Sequence, residues 1–319
     1  MTGTLDIQGH RGARGLLPEN TLPAFARALS IGVSTLELDC AITRDGIVVV
    51  SHDSTLNPEI TRDTSTEGAG RWITRTDLPI ARFTFDELQR FDVGRIDPAS
   101  AYAKRFAQQQ AIDGTRMPAL ENVFALARKA GNSAVRFNIE TKLSPLHPER
   151  TVAPDVFAKT LIDVVRHNHL ESRVVVQSFD WRTLAVVRHE APEITTACLT
   201  AQQPFMDNIR AREMSSPWNA GLHIRQFAGS IPRMVKAAVG KIRGAIWSPC
   251  SNDVDAAVVR EAQSLGLTVV VWTVNSETDM RRMMALGVDG MISDYPDLLR
   301  RVAGEQGYPL PAPTPVTAP

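Results

Sequence analysis

The sequence predicts an α/β fold, a (β/α)8 barrel of the TIM type with a small inserted cap subdomain. Along the 319 residues, short β-branched runs alternate with longer helical patterns, as in parallel strands joined by crossover helices. Eight strand runs occur in this alternation, the number that closes such a barrel. Leucine and glycine end two helical patterns, in "SLGLTVVVW" and "ALGVDGMI", where glycine commonly terminates a helix before the next strand. An open, doubly wound sheet is the alternative arrangement.

The predicted strands are rich in valine, isoleucine and threonine, which favour extended backbone. They occupy residues 4–9, 34–43, 134–141, 172–179, 194–200, 243–249, 267–274 and 288–294. Helical periodicity is found at residues 21–31, 153–169, 181–190, 254–265 and 276–286. The first of these helices follows "PENT", whose Asn20 or Thr21 is a suitable helix cap, and Asn20 is also placed to brace a site next to it.

An additional hairpin interrupts the alternation after the second strand. Asp45 and Gly46 stand between two β-rich runs, a strong signal for a two-residue turn. That turn places Asp39 opposite His52, whereas a turn one residue earlier places Glu37 there. Either register predicts that His52 lies against a carboxylate.

Two irregular segments and a proline-rich tail complete the predicted organisation. Residues 53–133 predict a cap inserted over the barrel mouth, with helical patterns at 83–91 and 117–131, and residues 203–240 predict a second excursion. The barrel domain is expected to span residues 1–302. The tail, residues 303–319, reads "YPLPAPTPVTAP" at its end and is expected to be disordered.

Composition excludes several classes of function. Lys plus Arg and Asp plus Glu are both 35, so no basic surplus favours nucleic acid. The longest apolar runs fall far short of the roughly 20 residues of a membrane span. No leader is recognised, and three scattered cysteines favour a reducing compartment, so we expect a cytoplasmic protein, or a periplasmic or secreted one if a leader has been removed. Nothing in the sequence indicates an oligomeric state.

Polar residues gather where the predicted strands end, which is where barrels of this type carry their active sites. Buried polar groups are costly unless something satisfies them, so a shared ligand is the economical explanation. The residues are His10 and Arg11, Glu37 and Asp39, Glu140 and Lys142, Gln177, Trp272 and Asn275, and Asp294, from the first, second, third, fourth, seventh and eighth strands.

Glu37, Asp39 and Glu140 predict a metal site. Three carboxylates cannot all stay ionised close together without a cation. Oxygen ligands favour a hard divalent ion, so the expected cofactor is Mg²⁺ or Ca²⁺ rather than zinc.

The remaining charged residues predict phosphoester chemistry. Arg11 offers a bidentate fork and Lys142 a point charge for a phosphate group. His10 and His52 suit general acid–base catalysis near neutral pH. "GHRGARG" has neither the dinucleotide-fold nor the P-loop glycine spacing. A metal, an anion clamp and two proton carriers together describe phosphoester hydrolysis.

Several motifs occur in a family-specific order: "GHRGARGLLPENTLPAFARALSIG", "LELDCAITRDGIVVVSHDSTLNPEITR", "FNIETK", "VVQSF", "VVWTVN" and "DGMISDYP". Over roughly residues 5–300 the chain resembles the glycerophosphodiester phosphodiesterase family. The resemblance implies a TIM barrel with a small insertion after His52-Asp53. The chain departs from the usual family pattern after "HDSTLNP", where it has a two-residue extension. This departure affects the leaving-group preference that the family pattern would predict.

The resemblance also implies residue roles and a reaction. It implies metal ligation by Glu37, Asp39 and Glu140, acid–base catalysis by His10 and His52, phosphate binding by Arg11 and Lys142, and a pocket lined by Gln177 and Trp272. The implied reaction is metal-dependent hydrolysis of a small glycerophosphodiester, such as glycerophosphocholine or glycerophosphoethanolamine, to glycerol 3-phosphate and an alcohol. A lysophospholipase D-like activity on lipids, requiring an apolar entrance in the cap, and a non-catalytic barrel that binds a phosphorylated ligand are the alternatives.

Overall fold

Eight parallel strands form the centre of the structure, a computed structural model that describes residues 3–240 and 244–318. The strands are β1 (Asp6–Gly9), β2 (Thr35–Ile42), β3 (Arg136–Thr141), β4 (Val174–Ser178), β5 (Thr195–Thr200), β6 (Ile246–Pro249), β7 (Thr268–Val271) and β8 (Gly290–Ser293). Arg243, with which the sixth predicted strand begins, and Pro319, the last residue of the predicted tail, lie outside the described residues.

The strands close into a barrel. Each strand from β2 to β8 pairs in parallel with the next, and β1 pairs with both β8 and β2. Closure is carried by Ile7 opposite Met291 on one side and by Gly9 opposite Leu36 on the other. The predicted barrel is therefore confirmed, and the open doubly wound sheet is excluded.

A helix follows each strand and completes eight strand–helix units among the described residues. The helices are α1 (Leu22–Ile31), α2 (Leu120–Lys129), α3 (Pro154–His167), α4 (Trp181–Glu190), α5 (Ile231–Val239), α6 (Ala256–Ser264), α7 (Glu277–Leu286) and α8 (Pro296–Glu305). The five helices predicted from periodicity and the pattern at 117–131 are confirmed, whereas α5 and α8 were not predicted. Thr21 caps α1, accepting a hydrogen bond from the Ala24 amide at 3.4 Å.

The hydrophobic core of the barrel has two parts, one on each face of the barrel wall, and the cap has a separate core of its own. The larger part lies between strands and helices and includes Phe25, Leu36 and Phe157. The smaller part lies inside the barrel and consists of Val175, Ala197, Ile246, Val270 and Ile292, all from β4 to β8. The apolar filling thus occupies one side of the interior, and the residues of β1 to β3 supply a polar other side.

The hairpin after β2 has a different register from both predicted ones. Val48–Val50 pairs antiparallel with β2, and Cys40 faces Val50. The turn is one residue longer than the predicted two-residue turn, with Gly46 at a φ of 81° and the Thr43 amide bonded to the Ile47 carbonyl at 3.0 Å. His52 consequently lies beyond the paired strand, opposite neither Glu37 nor Asp39.

The segment between this hairpin and α2 forms a small layer over the barrel mouth. Three short strands, Arg62–Asp63, Arg71–Trp72 and Phe91–Asp92, make an antiparallel sheet. The pattern at 83–91 yields only a four-residue helix, Phe85–Leu88, because Phe91 already belongs to this sheet. A second helix, Ala101–Arg105, directs Tyr102 toward the barrel.

The second excursion follows β5 and also lies at the mouth. It begins with a tight hairpin, Gln202–Gln203 paired with Met206–Asp207, and ends in α5. Asn208 fixes the hairpin base, because its side chain accepts from the Ala201 amide and donates to the Leu199 carbonyl, both at 3.0 Å.

The proline-rich tail differs from its prediction. Residue 302 lies inside α8, and the chain beyond that helix runs extended across α1 instead of standing free. The Thr314 amide donates to the Leu29 carbonyl at 2.9 Å, and Arg300 donates to the Pro311 carbonyl at 2.6 Å. Tyr308 and Val316 are half-buried against the core. Proline-rich composition predicted disorder because it lacks apolar periodicity, but this segment packs in an extended form that needs none.

Candidate active site

The predicted site residues meet around a cavity of about 600 Å³ at the carboxyl ends of the strands. One wall is polar and comes from β1, β2 and β3 with the loops that follow them. The opposite wall is largely apolar. Of the residues proposed from the sequence, those lining the cavity are His10, Arg11, Glu37, His52, Glu140, Lys142, Gln177 and Trp272. Asp39 lies directly beneath them and is fully buried.

The turn after β1 carries His10 and holds it with Asp294. A side chain on Gly9 would approach the Gly12 carbonyl oxygen to 2.1 Å, so only glycine allows this tight turn. His10 Nδ1 lies 2.6 Å from Asp294 Oδ1, and Arg14 Nε donates to the same oxygen at 2.7 Å. Since an ionised carboxylate only accepts, Nδ1 carries the hydrogen and Nε2 is the free ring nitrogen.

Burial lowers the pKa of His10 to about 4, and the nearby Arg14 acts in the same direction. Burial opposes ionisation of Asp294, but His10 and Arg14 outweigh it and lower the pKa of that carboxyl. The neutral imidazole is therefore the resting form of His10 at neutral pH.

Arg11 connects the β1 turn to the acidic residues. Its backbone lies in the left-handed region, with φ 50°, and its amide donates to Glu37 Oε2 at 2.9 Å. Its guanidinium donates to Glu19 at 2.6 Å and lies 3.3 Å from Asp39 Oδ2. Tyr102, from the cap, donates to the other oxygen of Glu19. The cap thus fixes the glutamate that holds Arg11.

Glu37, Asp39 and Glu140 form a compact carboxylate cluster. One oxygen from each can be chosen so that all three lie within 4.8 Å of one another. Strand register explains this proximity, because Asp39 and Glu140 are direct neighbours across β2 and β3. Asn20 braces the cluster, as the sequence suggested, by donating to Asp39 Oδ2 at 2.9 Å.

The electrostatics of this cluster suit a cation. Burial and the neighbouring Asp39 raise the pKa of Glu37 well above its ordinary value. Burial raises the pKa of Glu140 to about 7, although Lys142 opposes that shift. At Asp39, burial is outweighed by His52, Arg11 and Lys142, which lower the pKa. Two carboxyls that resist ionisation beside an ionised third make an all-oxygen donor set that a hard divalent ion would relieve.

Lys142 and His52 stand on the side of the cluster nearer the solvent. Lys142 Nζ lies 2.9 Å from Glu140 Oε1 and 3.7 Å from Asp39 Oδ1. His52 Nδ1 lies 2.9 Å from Asp53 Oδ1, so Nε2 is again the free ring nitrogen. Burial, with Arg11 and Lys142, lowers the pKa of His52. The predicted contact of His52 with a carboxylate exists, but the partner is its neighbour Asp53.

Gln177 and Trp272 line the cavity at different depths. Gln177 is buried and donates from Nε2 to Glu37 Oε1 at 2.7 Å. The Trp272 indole donates to the Ser248 carbonyl at 2.9 Å, and its ring packs edge-on against Phe179 with centroids 5.4 Å apart. Gln177 thus supports the acidic cluster, whereas Trp272 belongs to the apolar wall.

Asp294, Asp53, Glu19 and Arg14 hold the site residues in place, and sequence reasoning gave them no role. Asp294 was noted only as a polar strand end, and its contact with His10 joins residues 284 positions apart. Asp53 could have been found from the His52-Asp53 pair, since adjacent histidine and carboxylate side chains often meet. Glu19 and Arg14 lie within the first motif, but their partner Tyr102 comes from the irregular cap.

The apolar wall continues outwards from the cavity. It includes Phe179, Leu199, Met206 and Trp218, and Phe205 at its rim is 70% exposed. Phe205, Met206 and Trp218 also line an adjoining recess of about 650 Å³. The outer part of this wall comes from the second excursion and not from the cap, several of whose aromatic residues pack into a separate cap core.

A parallel barrel whose polar centre lies at the carboxyl ends of the strands is the architecture of a TIM-barrel enzyme. Residues 10–298 match the model of the Glycerophosphoryl diester phosphodiesterase family. A glycerophosphodiester phosphodiesterase from Bacillus altitudinis is 30% identical over 94% of this chain and 98% of its own length. A human lysophospholipase D is 25% identical over 91% of this chain and 83% of its own.

The solved structures agree with the sequence comparison. A glycerophosphoryl diester phosphodiesterase family protein from Silicibacter pomeroyi superposes with a TM-score of 0.83 at 34% identity, covering 97% of this chain and 96% of that one. The chain belongs to the glycerophosphoryl diester phosphodiesterase family and is a phosphoric diester hydrolase. Among the described residues, no helix combines the length and apolar composition needed to cross a bilayer.

Proposed function

We propose that the enzyme hydrolyses small glycerophosphodiesters, such as glycerophosphocholine or glycerophosphoethanolamine, to glycerol 3-phosphate and an alcohol, and that it depends on Mg²⁺ or Ca²⁺. The observation that carries the proposal is the carboxylate cluster, whose oxygens lie within 4.8 Å of one another beside Arg11 and Lys142. Acidic ligands and basic groups at one point fit a metal together with an anionic substrate.

Glu37, Asp39 and Glu140 would hold the ion. When bound, a divalent ion neutralises charge that builds on phosphate oxygens in the transition state. Arg11 and Lys142 bind and orient the phosphodiester from the same side, because both already lie against the acidic cluster. Glu19 keeps the Arg11 guanidinium in place during this step.

His10 and His52 move the protons. Each ring is anchored through Nδ1 by a carboxylate, so each presents Nε2 as the working atom. One histidine removes a proton from the nucleophile, which is either water or the neighbouring glycerol hydroxyl of the substrate. In the second case the alcohol leaves as a cyclic glycerol phosphate forms, and water then opens the ring to give glycerol 3-phosphate. The other must be in its imidazolium form, with a proton on Nε2 as well as on Nδ1, and it donates the Nε2 proton to the leaving alkoxide.

The first experiment measures glycerol phosphate release from glycerophosphocholine and glycerophosphoethanolamine after EDTA treatment, then with Mg²⁺ or Ca²⁺ restored. We expect release only with metal, and we expect Glu140→Gln to lower kcat at least about 100-fold at saturating metal without changing the unfolding curve. Glu149→Gln is the matched control, because Glu149 lies on the following loop and is 60% exposed. Full activity of Glu140→Gln contradicts the metal assignment. No release with any metal directs the test to lysophospholipids next, and only then to the non-catalytic barrel.

A second candidate substrate is a lysophospholipid, and the apolar wall is the observation that favours it. The cap does not supply the apolar entrance that such an activity would require there, because its Phe83 and Phe85 pack against the cap core instead. The continuous wall through Phe205, Met206 and Trp218 offers the apolar contact that an acyl chain needs.

Phe205→Ala tests this candidate. Loss of one aromatic contact is expected to lower kcat/KM for lysophosphatidylcholine about tenfold while leaving glycerophosphocholine within about twofold. Ile112→Ala is the control, since Ile112 is 37% exposed on the cap and lines neither the cavity nor its recess. Equal effects of Phe205→Ala on both substrates would remove the lipid candidate.

A further inference from the structure

A file of hydrogen-bonded polar side chains crosses the barrel interior from the amino-terminal end to the carboxylate cluster. It runs beside the apolar filling and is buried along most of its length, with Gln8 and Asn138 each 2% exposed and Gln177 1%. In order, its members are Asp6, Gln8, Asn138, Gln177 and Glu37.

Both ends of the file are carboxyl groups that accept. At the lower end, Gln8 Nε2 donates to Asp6 Oδ2 at 2.9 Å, and Arg136 pairs with the same oxygen at 2.8 Å. At the upper end, Gln177 Nε2 donates to Glu37 Oε1 at 2.7 Å. Each glutamine therefore donates from its NH₂ group to the carboxylate at its own end of the file, and its carbonyl oxygen points toward the middle of the file.

Asn138 lies between the two glutamines and bonds to both of their carbonyl oxygens. Its Nδ2 donates to Gln8 Oε1 and to Gln177 Oε1, both at 2.9 Å, so both amide hydrogens are used. Its own carbonyl oxygen is buried and has no hydrogen-bond partner among the described residues. A side chain with two hydrogens to donate is required here, and the unpartnered oxygen is the consequence of that arrangement.

We propose that Asn138 is a positioning residue for the metal centre. By donating to Gln177 Oε1 it fixes that amide so that Nε2 faces Glu37, which sets the orientation of the carboxylate. The inference rests on the proposed function, because it assumes that Glu37 is a metal ligand. Asn138 itself does not line the substrate cavity.

Direct metal binding tests the proposal. Metal-free protein is titrated calorimetrically with Mg²⁺ and Ca²⁺ for the wild type, Asn138→Leu and Asn138→Asp. Both variants remove the two-hydrogen donor, and only the second adds an ionisable group. We expect Kd to rise at least about tenfold in both, the range seen when a group supporting a metal ligand is lost. Thermal unfolding of the metal-free proteins tests whether each variant is folded.

Ser248→Ala is the matched control. Ser248 is a buried polar residue on β6 whose hydroxyl has no partner among the described residues, and it is outside the file. Its Kd is expected to equal that of the wild type. If the Asn138 variants do not fold, Gln8→Leu, which frees one of the two Asn138 hydrogens, is expected to raise Kd about threefold or more.

Three outcomes overturn the proposal. Kd values within about twofold of the wild type in the folded variants show that Asn138 does not position Glu37, and the proposed function then stands. An equal rise in Ser248→Ala shows a general effect of interior substitutions. A wild type that binds neither metal overturns the proposed metal dependence together with this inference.

Discussion

At the residue scale, a charged neighbour fixes the orientation of each candidate catalytic side chain. Asp294 and Asp53 hold the two histidines by the same ring nitrogen, and Glu19 holds the arginine. Polar groups in a buried site lose hydration and must be oriented by such partners. The arrangement therefore keeps the free Nε2 of His10 and that of His52 available without movement of either ring.

The lowered pKa of His10 predicts a pH dependence of stability. Its folded pKa of about 4 lies below the ordinary value of 6.5, so the unfolded chain takes up this proton first as pH falls. The contribution of His10 to the free energy of unfolding is fully present above pH 6.5. It is lost as the pH falls from 6.5 to 4, which lowers the free energy of unfolding by about 3 kcal/mol.

Urea unfolding of the metal-free protein at pH 7 and pH 4.5 measures this loss. His10→Asn is expected to show a smaller fall between the two pH values than the wild type. His189→Asn, at an 84% exposed histidine, is the control and is expected to behave as the wild type. Identical falls in His10→Asn and the wild type would show that His10 titrates normally in the folded state.

At the element scale, the sequence predicted the strands because their composition and alternation are local. The placement of Glu37, Asp39 and Glu140 followed from strand ends alone, since parallel strands of a barrel bring those ends together. The predicted hairpin register was wrong because a difference of one residue in the length of the turn changes the pairing. The bond between Thr43 and Ile47 makes the turn a three-residue one, and no composition rule distinguishes it from the two-residue turn at Asp45-Gly46.

Partners far apart in sequence were the other limit of prediction. Asp294 meets His10, and Tyr102 meets Glu19, through the closed barrel and the folded cap. Neither contact has a local signal. The candidate metal ligands and proton carriers could therefore be proposed from the sequence, whereas the residues that hold them in place could not.

The observed turn predicts the effect of substitution at Gly46. Its φ of 81° is strained for any residue with a side chain, although a Cβ there would meet no atom within 4 Å. Gly46→Ala is expected to lower the free energy of unfolding by about 1 kcal/mol in urea titration. Gly46→Asn is expected to lose less, because asparagine tolerates this conformation. Equal stabilities of alanine variant and wild type would contradict the turn geometry.

At the scale of the whole molecule, the tail links the last helix to the first strand–helix unit. It bonds to Leu29 and to Asn132 through Thr314, at 2.9 and 3.0 Å, so the two ends of the barrel sequence are held together outside the sheet. The β1–β8 pairing and this outer contact therefore both join the two ends of the barrel sequence.

Removal of residues 308–319 tests the contact. We expect Tm to fall by at least about 4 °C, because five hydrogen bonds between this segment and the rest of the described chain are lost, together with the buried area of Tyr308 and Val316. Activity should remain, since the tail is far from the cavity. Ala312→Ser, at an exposed position of the tail, is the control. An unchanged Tm would restore the disordered tail that the proline-rich sequence predicted.

The two walls of the barrel mouth come from separate segments of the chain, and this affects how the sequence can change during evolution. The hairpin Gln202–Asp207 is anchored at its base by Asp253, which accepts from the Gln202 amide at 2.8 Å. The acidic cluster belongs to β2 and β3 across the opening. An insertion or deletion in this hairpin would therefore change which molecules fit the cavity without changing the acidic cluster. Selection can act on the two walls of the cavity separately.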